Sequence, residues 1–142
     1  FATTLESLQA DKICIVENLD VFLKAEKVIP TDYVFIHSYG RLGKELIKSL
    51  KVLEILVFSD YDYIGLKEYM LVKSEFANTI FFMPKNYEQL YKTSAKSLKK
   101  KNEGEQKPTK AIKKSNNEIV IRIREQLLRN NKFLEQQTLF EE

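Results

Sequence analysis

The sequence predicts an α/β domain: a parallel sheet of about four strands flanked by helices, with a C-terminal helical extension. Two observations predict it. Short apolar runs alternate four times with segments of helical spacing. Those runs are continuously apolar rather than alternating, the pattern of strands covered on both faces. Right-handed crossovers then bring all the strand carboxyl ends to one edge, where open α/β sheets take their ligands.

Residues 13–17 form an apolar run ending in an acid and read as the first strand. Asn18 caps a helix in which Leu19, Phe22, Leu23 and Glu26 follow helical spacing, with Pro30 marking its exit. Residues 33–37 read as the second strand, and Ser38-Tyr39-Gly40 as a turn. Leu42, Leu46, Ile47 and Leu50 share one helical face. Residues 53–58, the most apolar run, make the third strand. A loop over 59–64 follows, then a helix carrying Leu66, Tyr69 and Met70. Residues 79–83 form the fourth strand, ended by Pro84. Tyr87, Leu90, Tyr91 and Leu98 suggest a further helix. The stretch 99–110 carries Gly104, Pro108 and a run of lysines, and is expected to be a mobile loop. Ser115-Asn116-Asn117-Glu118 matches a capping box, with Ser115 as the N-cap. It opens a long helix with Val120, Ile123, Leu127 and Leu134 on one face. The expected organisation is an α/β core over 1–98, a Lys-rich loop over 99–114, and a C-terminal helix over 115–142 that packs on the core.

A chain of 142 residues can build one real hydrophobic core. No run of apolar residues is long enough to span a membrane, and no signal peptide is visible. The single cysteine, Cys14, lies inside the first apolar run and reads as a buried, reduced thiol. These features suit a cytoplasmic protein. The chain opens on Phe1 rather than methionine, so the expectation is a piece of a longer protein with further domains upstream. Net charge is +3, but residues 92–114 hold nine lysines against two glutamates, which leaves the remainder acidic. Such a segment serves either as a solvated insertion or as a contact for a phosphate backbone.

Three carboxylates fall at the predicted carboxyl edge. Glu17 ends the first strand, and Asp60 and Asp62 follow the third. Residues two apart in an extended segment point the same way, so the two aspartates can aim at one point. Carboxylates held close repel one another unless one is protonated or a cation sits among them. Mg²⁺ suits such a site, with Mn²⁺ as a substitute, because it takes a few carboxylates, keeps waters and leaves positions for phosphate oxygens. The alternative is that these acids are helix N-caps and loop residues with no shared ligand.

The motifs around these acids carry a resemblance. Ile13-Cys14-Ile15-Val16-Glu17-Asn18 resembles the first motif of Toprim domains, an apolar strand ending in glutamate. Phe58-Ser59-Asp60-Tyr61-Asp62-Tyr63-Ile64-Gly65 resembles their second motif, and Ser38-Tyr39-Gly40 resembles the glycine turn between them. The resemblance spans roughly residues 11–85. Within the group it is nearest to two branches: the A subunit of type IIB topoisomerases with its meiotic break-forming relative, and the D subunit of Wadjet-type plasmid-defence systems. The latter is similar also in the Asn after the motif-one glutamate. A second likeness is the C-terminal Leu134-Glu135-Gln136-Gln137, which departs from that subunit's pattern in having Gln137 for glutamate.

The resemblance implies a Toprim-like (Rossmann-like) fold and Mg²⁺-dependent cleavage of DNA phosphodiesters within a larger complex. Asp60 and Asp62 would hold the metal. Glu17 would complete the coordination or move a proton, and Glu135 is a candidate for a further metal ligand. Metal neutralisation of the phosphate charge is what such chemistry requires. Lys99, Lys100, Lys101 and Lys110 are the candidate DNA contacts. Expected partners are DNA, an upstream DNA-binding domain, other complex subunits and a second copy of the chain; a membrane is not among them.

Tyr61 and Tyr63 flank Asp62 but are not expected to be nucleophiles. Water, or a group from an absent domain, would attack. His37, the only histidine, reads as a hydrogen-bonded structural residue, and Gly40 and Gly65 as turn or close-approach positions. The rival reading is a non-catalytic Toprim-like module that binds DNA or partner subunits. A phospho-acceptor receiver domain is a more distant third, because the acidic pair follows strand three rather than strand one.

Overall fold

The computed structural model describes residues 11–30, 32–37, 51–98 and 106–140. The helix expected over 42–50, the turn at Gly40, and Lys99, Lys100 and Lys101 lie outside those residues. The chain divides into two compact units. The first is Phe1–Ser59 with Tyr69–Phe82, and the second is Asp60–Glu68 with Met83–Glu142.

The first unit holds β1 (Lys12–Val16), β2 (Val34–His37), β3 (Glu54–Phe58) and β4 (Thr79–Phe81). All pairings are parallel and the strand order is β2-β1-β3-β4. This is the α/β architecture the apolar runs predict. Ile13, Cys14, Ile15 and Val16 are all buried, and so are Ile55, Leu56, Val57 and Phe58. Successive strand side chains face opposite ways, so unbroken burial means that both faces of these strands are covered. Beyond β4, the Phe82 N–H still bonds the Val57 carbonyl at 2.9 Å, and its ring meets Phe58 edge-on at 5.2 Å. The strand itself ends at Phe81, two residues short of the expected bound, and the chain turns off before Pro84, which has no N–H to continue a ladder. At the amino edge, Lys12 pairs with Asp32 at 3.0 Å, and the Tyr33 hydroxyl donates to the Glu54 carboxylate.

Asn18 caps α1 (Leu19–Phe22) as expected, its Oδ1 accepting the Val21 N–H at 3.1 Å. The helix is only four residues long, and a 3₁₀ turn, Ala25–Lys27, replaces its second half. The buried residues of this segment are Val21, Ala25 and Ile29, whereas Leu19 is 54% and Leu23 67% exposed. The buried face is thus set by small and β-branched residues four apart rather than by the larger leucines.

The helix α2 (Tyr63–Glu75) crosses the boundary between the units, which falls after Glu68. In its first-unit part Tyr69 packs edge-on against Phe81 at 5.3 Å. Lys73 Nζ donates to the carbonyls of Ala77 at 3.0 Å and Thr79 at 3.2 Å, a cation placed where a helix end leaves carbonyls unpaired.

The second unit contains α3 (Tyr87–Ser94), β5 (Lys96–Ser97), α4 (Lys110–Lys114), α5 (Glu118–Asn130), β6 (Lys132–Phe133) and a closing 3₁₀ turn, Gln136–Phe140. The expected loop thus gives way to a helix at Lys110–Lys114. Thr109 caps it, accepting the Ile112 N–H at 3.2 Å, and Arg124 caps its other end through the carbonyls of Ile112 and Lys113. Ser115 is consequently the C-cap of α4 and not the N-cap of α5. Asn117 takes that role, accepting from the N–H groups of Ile119 and Val120. Tyr87 links the helices. Its ring lies 6.1 Å from Tyr91, and its hydroxyl donates to Gln126 Oε1 at 2.8 Å. Arg122 donates to Glu88 at 2.6 Å and lies over the Tyr87 ring. Among the described residues, no helix is long and apolar enough to cross a membrane.

The C-terminal extension is not one helix. Asn131 adopts φ 52°, the left-handed conformation that ends α5, and redirects the chain into β6 antiparallel to β5. Leu134 therefore bridges to Tyr61 instead of continuing the α5 face. Replacing Asn131 by Ala should destabilise the protein by up to about 1 kcal/mol, because alanine lacks the short polar side chain whose local hydrogen bonding lets asparagine adopt the left-handed region, whereas Asn131→Gly, which carries no Cβ, should be neutral or better. Urea denaturation of the two variants checks this. Equal midpoints would mean that the cap conformation does not matter.

Candidate functional site

In the β2-β1-β3-β4 order the connections leave β1 toward β2 on one side, while β3 and β4 lie on the other. The switch point therefore lies between β1 and β3, where open α/β sheets place ligands beyond the strand carboxyl ends. Val16 pairs with Phe58, so Glu17 and Ser59 leave the sheet side by side in register. The Glu17 backbone carbonyl accepts from His37 Nε2 at 2.7 Å, and the His37 ring lies 5.5 Å from Phe22. His37 is thus the hydrogen-bonded residue the sequence suggests, and it holds the main chain that carries Glu17. Ser59 is buried, and its Oγ has no hydrogen-bond partner among the described residues.

Asp60 opens the second unit. Its Oδ1 accepts the backbone N–H of Gln136 at 2.9 Å. The N–H of Tyr61 donates to the Leu134 carbonyl at 3.0 Å. Asp62 is 4% exposed and caps α2. Its Oδ1 accepts the Gly65 N–H at 2.8 Å, and the Leu66 N–H bonds the Asp62 carbonyl at 2.9 Å. Asp62 Oδ2 accepts from Gln106 Nε2 at 3.2 Å. Each donor offsets part of the repulsion between two carboxylates two residues apart.

The flanking tyrosines are packing residues. Tyr61 is fully buried, meets Tyr87 edge-on at 5.1 Å, and burial pushes its phenol well above the ordinary value. Tyr63 is buried as well. Cys14 is buried among the strand residues of the first unit, and its thiol is pushed up to about 12 by desolvation, so it is no nucleophile at neutral pH.

Glu135 forms an ion pair with Lys96 at 2.8 Å. Its neighbour Gln136 is the tail residue that reaches Asp60. Sequence reasoning missed Gln136 and Gln106. Gln136 acts through its main chain, so no side-chain type could announce it, and Gln106 lay in the segment read as a loop. Lys110 is exposed at the start of α4, as are Lys107, Lys113 and Lys114 nearby. Four exposed lysines within eight positions form a basic surface on this helix and the residues before it.

A hard cation takes oxygen ligands, so the oxygens beside the acidic pair decide whether one fits. Gln106 Oε1 and Gln136 Oε1 are buried with no hydrogen-bond partner among the described residues. Gln106 bonds Asp62 through its other amide atom, and Gln136 bonds Asp60 through its main chain. Asp60, Asp62 and Gln106 carry oxygen donors and no thiolate or imidazole, so a cation held there would be a hard one rather than zinc. Among the described residues, no three His, Cys, Asp or Glu side chains converge as a metal cluster. Glu17 belongs to the first unit and the aspartate pair to the second. No protein-family model matches the chain and no curated protein matches it, so its chemistry is read from the arrangement of its own residues.

Proposed function

We propose that this chain is a Toprim-type domain that cleaves DNA phosphodiesters with Mg²⁺, in the cytoplasm, within a larger plasmid-defence or topoisomerase-like complex. One observation carries the reading: in the chain an acid directly follows one central strand of the parallel sheet, and an Asp-x-Asp segment begins two residues after the strand paired with it. The resemblance of the two acidic motifs to Toprim motifs supports it.

In this reading Asp60 and Asp62 hold the cation, with Glu135 as a further candidate ligand once released from Lys96. A bound Mg²⁺ supplies neutralisation of the charge on the non-bridging phosphate oxygens. Glu17 would complete the coordination, or would take the proton of the attacking water as its oxygen bonds to phosphorus while the bond to the leaving sugar oxygen breaks and that oxygen takes a proton from solvent. Burial of Tyr61 and Tyr63 argues for water, or for a group from another domain, as the nucleophile. Lys110 and the lysines around it bind the phosphate backbone without reading its sequence.

A second reading has its own observation. Both oxygens of Asp62 and one of Asp60 already accept hydrogen bonds from the protein, which suits a non-catalytic module that binds DNA or partner subunits. Supercoiled plasmid incubated with Mg²⁺ or Mn²⁺ separates the two. Metal-dependent nicking or linearisation that disappears in Asp60→Ala/Asp62→Ala is the expected result. Binding of the plasmid without cutting by either protein would favour the module.

A further inference from the structure

Asp62 is held at both oxygens, and the two holds differ in kind. Oδ1 accepts the Gly65 N–H at 2.8 Å, a local bond that caps α2. Oδ2 accepts from Gln106 Nε2 at 3.2 Å, a side chain 44 positions away in the residues that lead into α4. An ionised carboxylate can only accept, so the Gln106 amide has to face it with its nitrogen. That orientation turns Oε1 away, and there it is buried with no hydrogen-bond partner among the described residues. A buried acceptor without a donor has lost its bonds to water and has nothing in their place. Gln106 thus satisfies Asp62 and leaves its own oxygen unsatisfied.

The two ends of a side-chain amide have nearly the same shape, and its terminal torsion is soft, so a half-turn exchanges them without moving the backbone. A divalent cation at Asp62 Oδ2 reverses the preferred orientation. It repels the positive end of the Nε2–H bond and attracts the carbonyl oxygen, a ligand that hard cations take alongside carboxylates. We propose that Gln106 is a neutral oxygen ligand of the cation that Asp62 holds, its amide turning on binding to bring Oε1 to the metal. This rests on the reading of Asp62 as a cation ligand. The turn gives the buried Oε1 a partner and leaves Asp62 Oδ1 on the Gly65 N–H, so α2 keeps its cap.

Gln106→Leu and Gln106→Glu separate an oxygen ligand from a hydrogen-bond partner. Leucine removes both ends of the amide, whereas glutamate keeps oxygens but has no N–H for Asp62. Mn²⁺ affinity is measured by calorimetry on both variants and the wild type. The Gln106 side-chain Cδ and the Gly65 backbone amide of ¹³C,¹⁵N-labelled wild-type protein are followed through a Mg²⁺ titration. Gln106→Leu should bind Mn²⁺ more weakly by roughly tenfold or more, the least that losing a group at a metal ligand costs. Gln106→Glu should bind at least as tightly as the wild type. The Cδ signal should move downfield, as its oxygen gives electron density to the metal, and titrate together with the Gly65 amide. Binding by Gln106→Leu equal to or tighter than the wild type's would mean that the amide only competes with the cation for Asp62. Gln106→Glu as weak as Gln106→Leu would mean that the N–H, not the oxygen, matters. Either result, or a Cδ signal that stays still or moves upfield while Gly65 moves, overturns the ligand and leaves the cation site standing. Should a variant fail to fold, the wild-type titration decides. Absence of any Mg²⁺- or Mn²⁺-dependent change in the wild type overturns the cation reading and the Gln106 ligand with it.

Discussion

Asp62→Asn is expected to lower metal-dependent DNA cleavage by on the order of a hundredfold or more while leaving stability within about 0.5 kcal/mol of the wild type. Asp62 caps α2, and under the proposed function it would also hold a cation. As the cap of α2 it needs an oxygen that can accept the Gly65 N–H, which asparagine supplies, and a turn of the Gln106 amide that presents its unpartnered Oε1 to the asparagine Nδ2 keeps the second bond. As a cation ligand it needs its negative charge, which asparagine lacks. Asp62→Ala removes both, and should add a loss of about 1–2 kcal/mol from the uncapped helix. Plasmid cleavage and urea denaturation on the same three proteins resolve the roles. Full cleavage by Asp62→Asn would reduce Asp62 to a cap and remove the main support for a catalytic Toprim domain.

Phe58→Ala should destabilise the protein by about 3–5 kcal/mol, the cost of deleting a large buried ring from a core that cannot fully collapse. Phe58 has no exposed surface, stands in register with Val16 on the neighbouring strand, and packs edge-on against Phe82. Ile80→Ala provides the contrast. Ile80 lies on the edge strand β4 and is 43% exposed, so its truncation should cost about 1 kcal/mol or less. Denaturant midpoints of the two variants test the claim that the central strands, rather than the edge, carry the stability of the sheet. A loss below about 1 kcal/mol for Phe58→Ala would contradict that packing account.

The strands were legible because a parallel sheet buries both faces of its inner strands. An unbroken run such as Ile13-Cys14-Ile15-Val16 has few other uses, and the observed strands lie within a residue or two of the apolar runs. The Asn18 cap was legible for a similar reason, since it is a local bond between a side chain and an amide three residues on. The length of α1 was not. Periodicity favoured Leu19, Phe22 and Leu23, but the surface available for burial accepted Val21, Ala25 and Ile29. The choice between Ser115 and Asn117 as a cap was equally hidden, because both side chains can accept an amide hydrogen bond. Only the presence of α4 before Ser115 decides it.

For the candidate site the division is the same. The sequence by itself determined which acids follow the central strands, because strand ends and acidic residues are both local features. Tertiary structure decided what those acids touch. Asp60 meets a backbone amide 76 positions away, and Asp62 meets a glutamine 44 positions away. The first contact involves no side chain on the donor's part. It exists because Asn131 turns the chain out of α5 and sends the segment back along Tyr61, and long-range main-chain pairing of that kind leaves no mark in residue type.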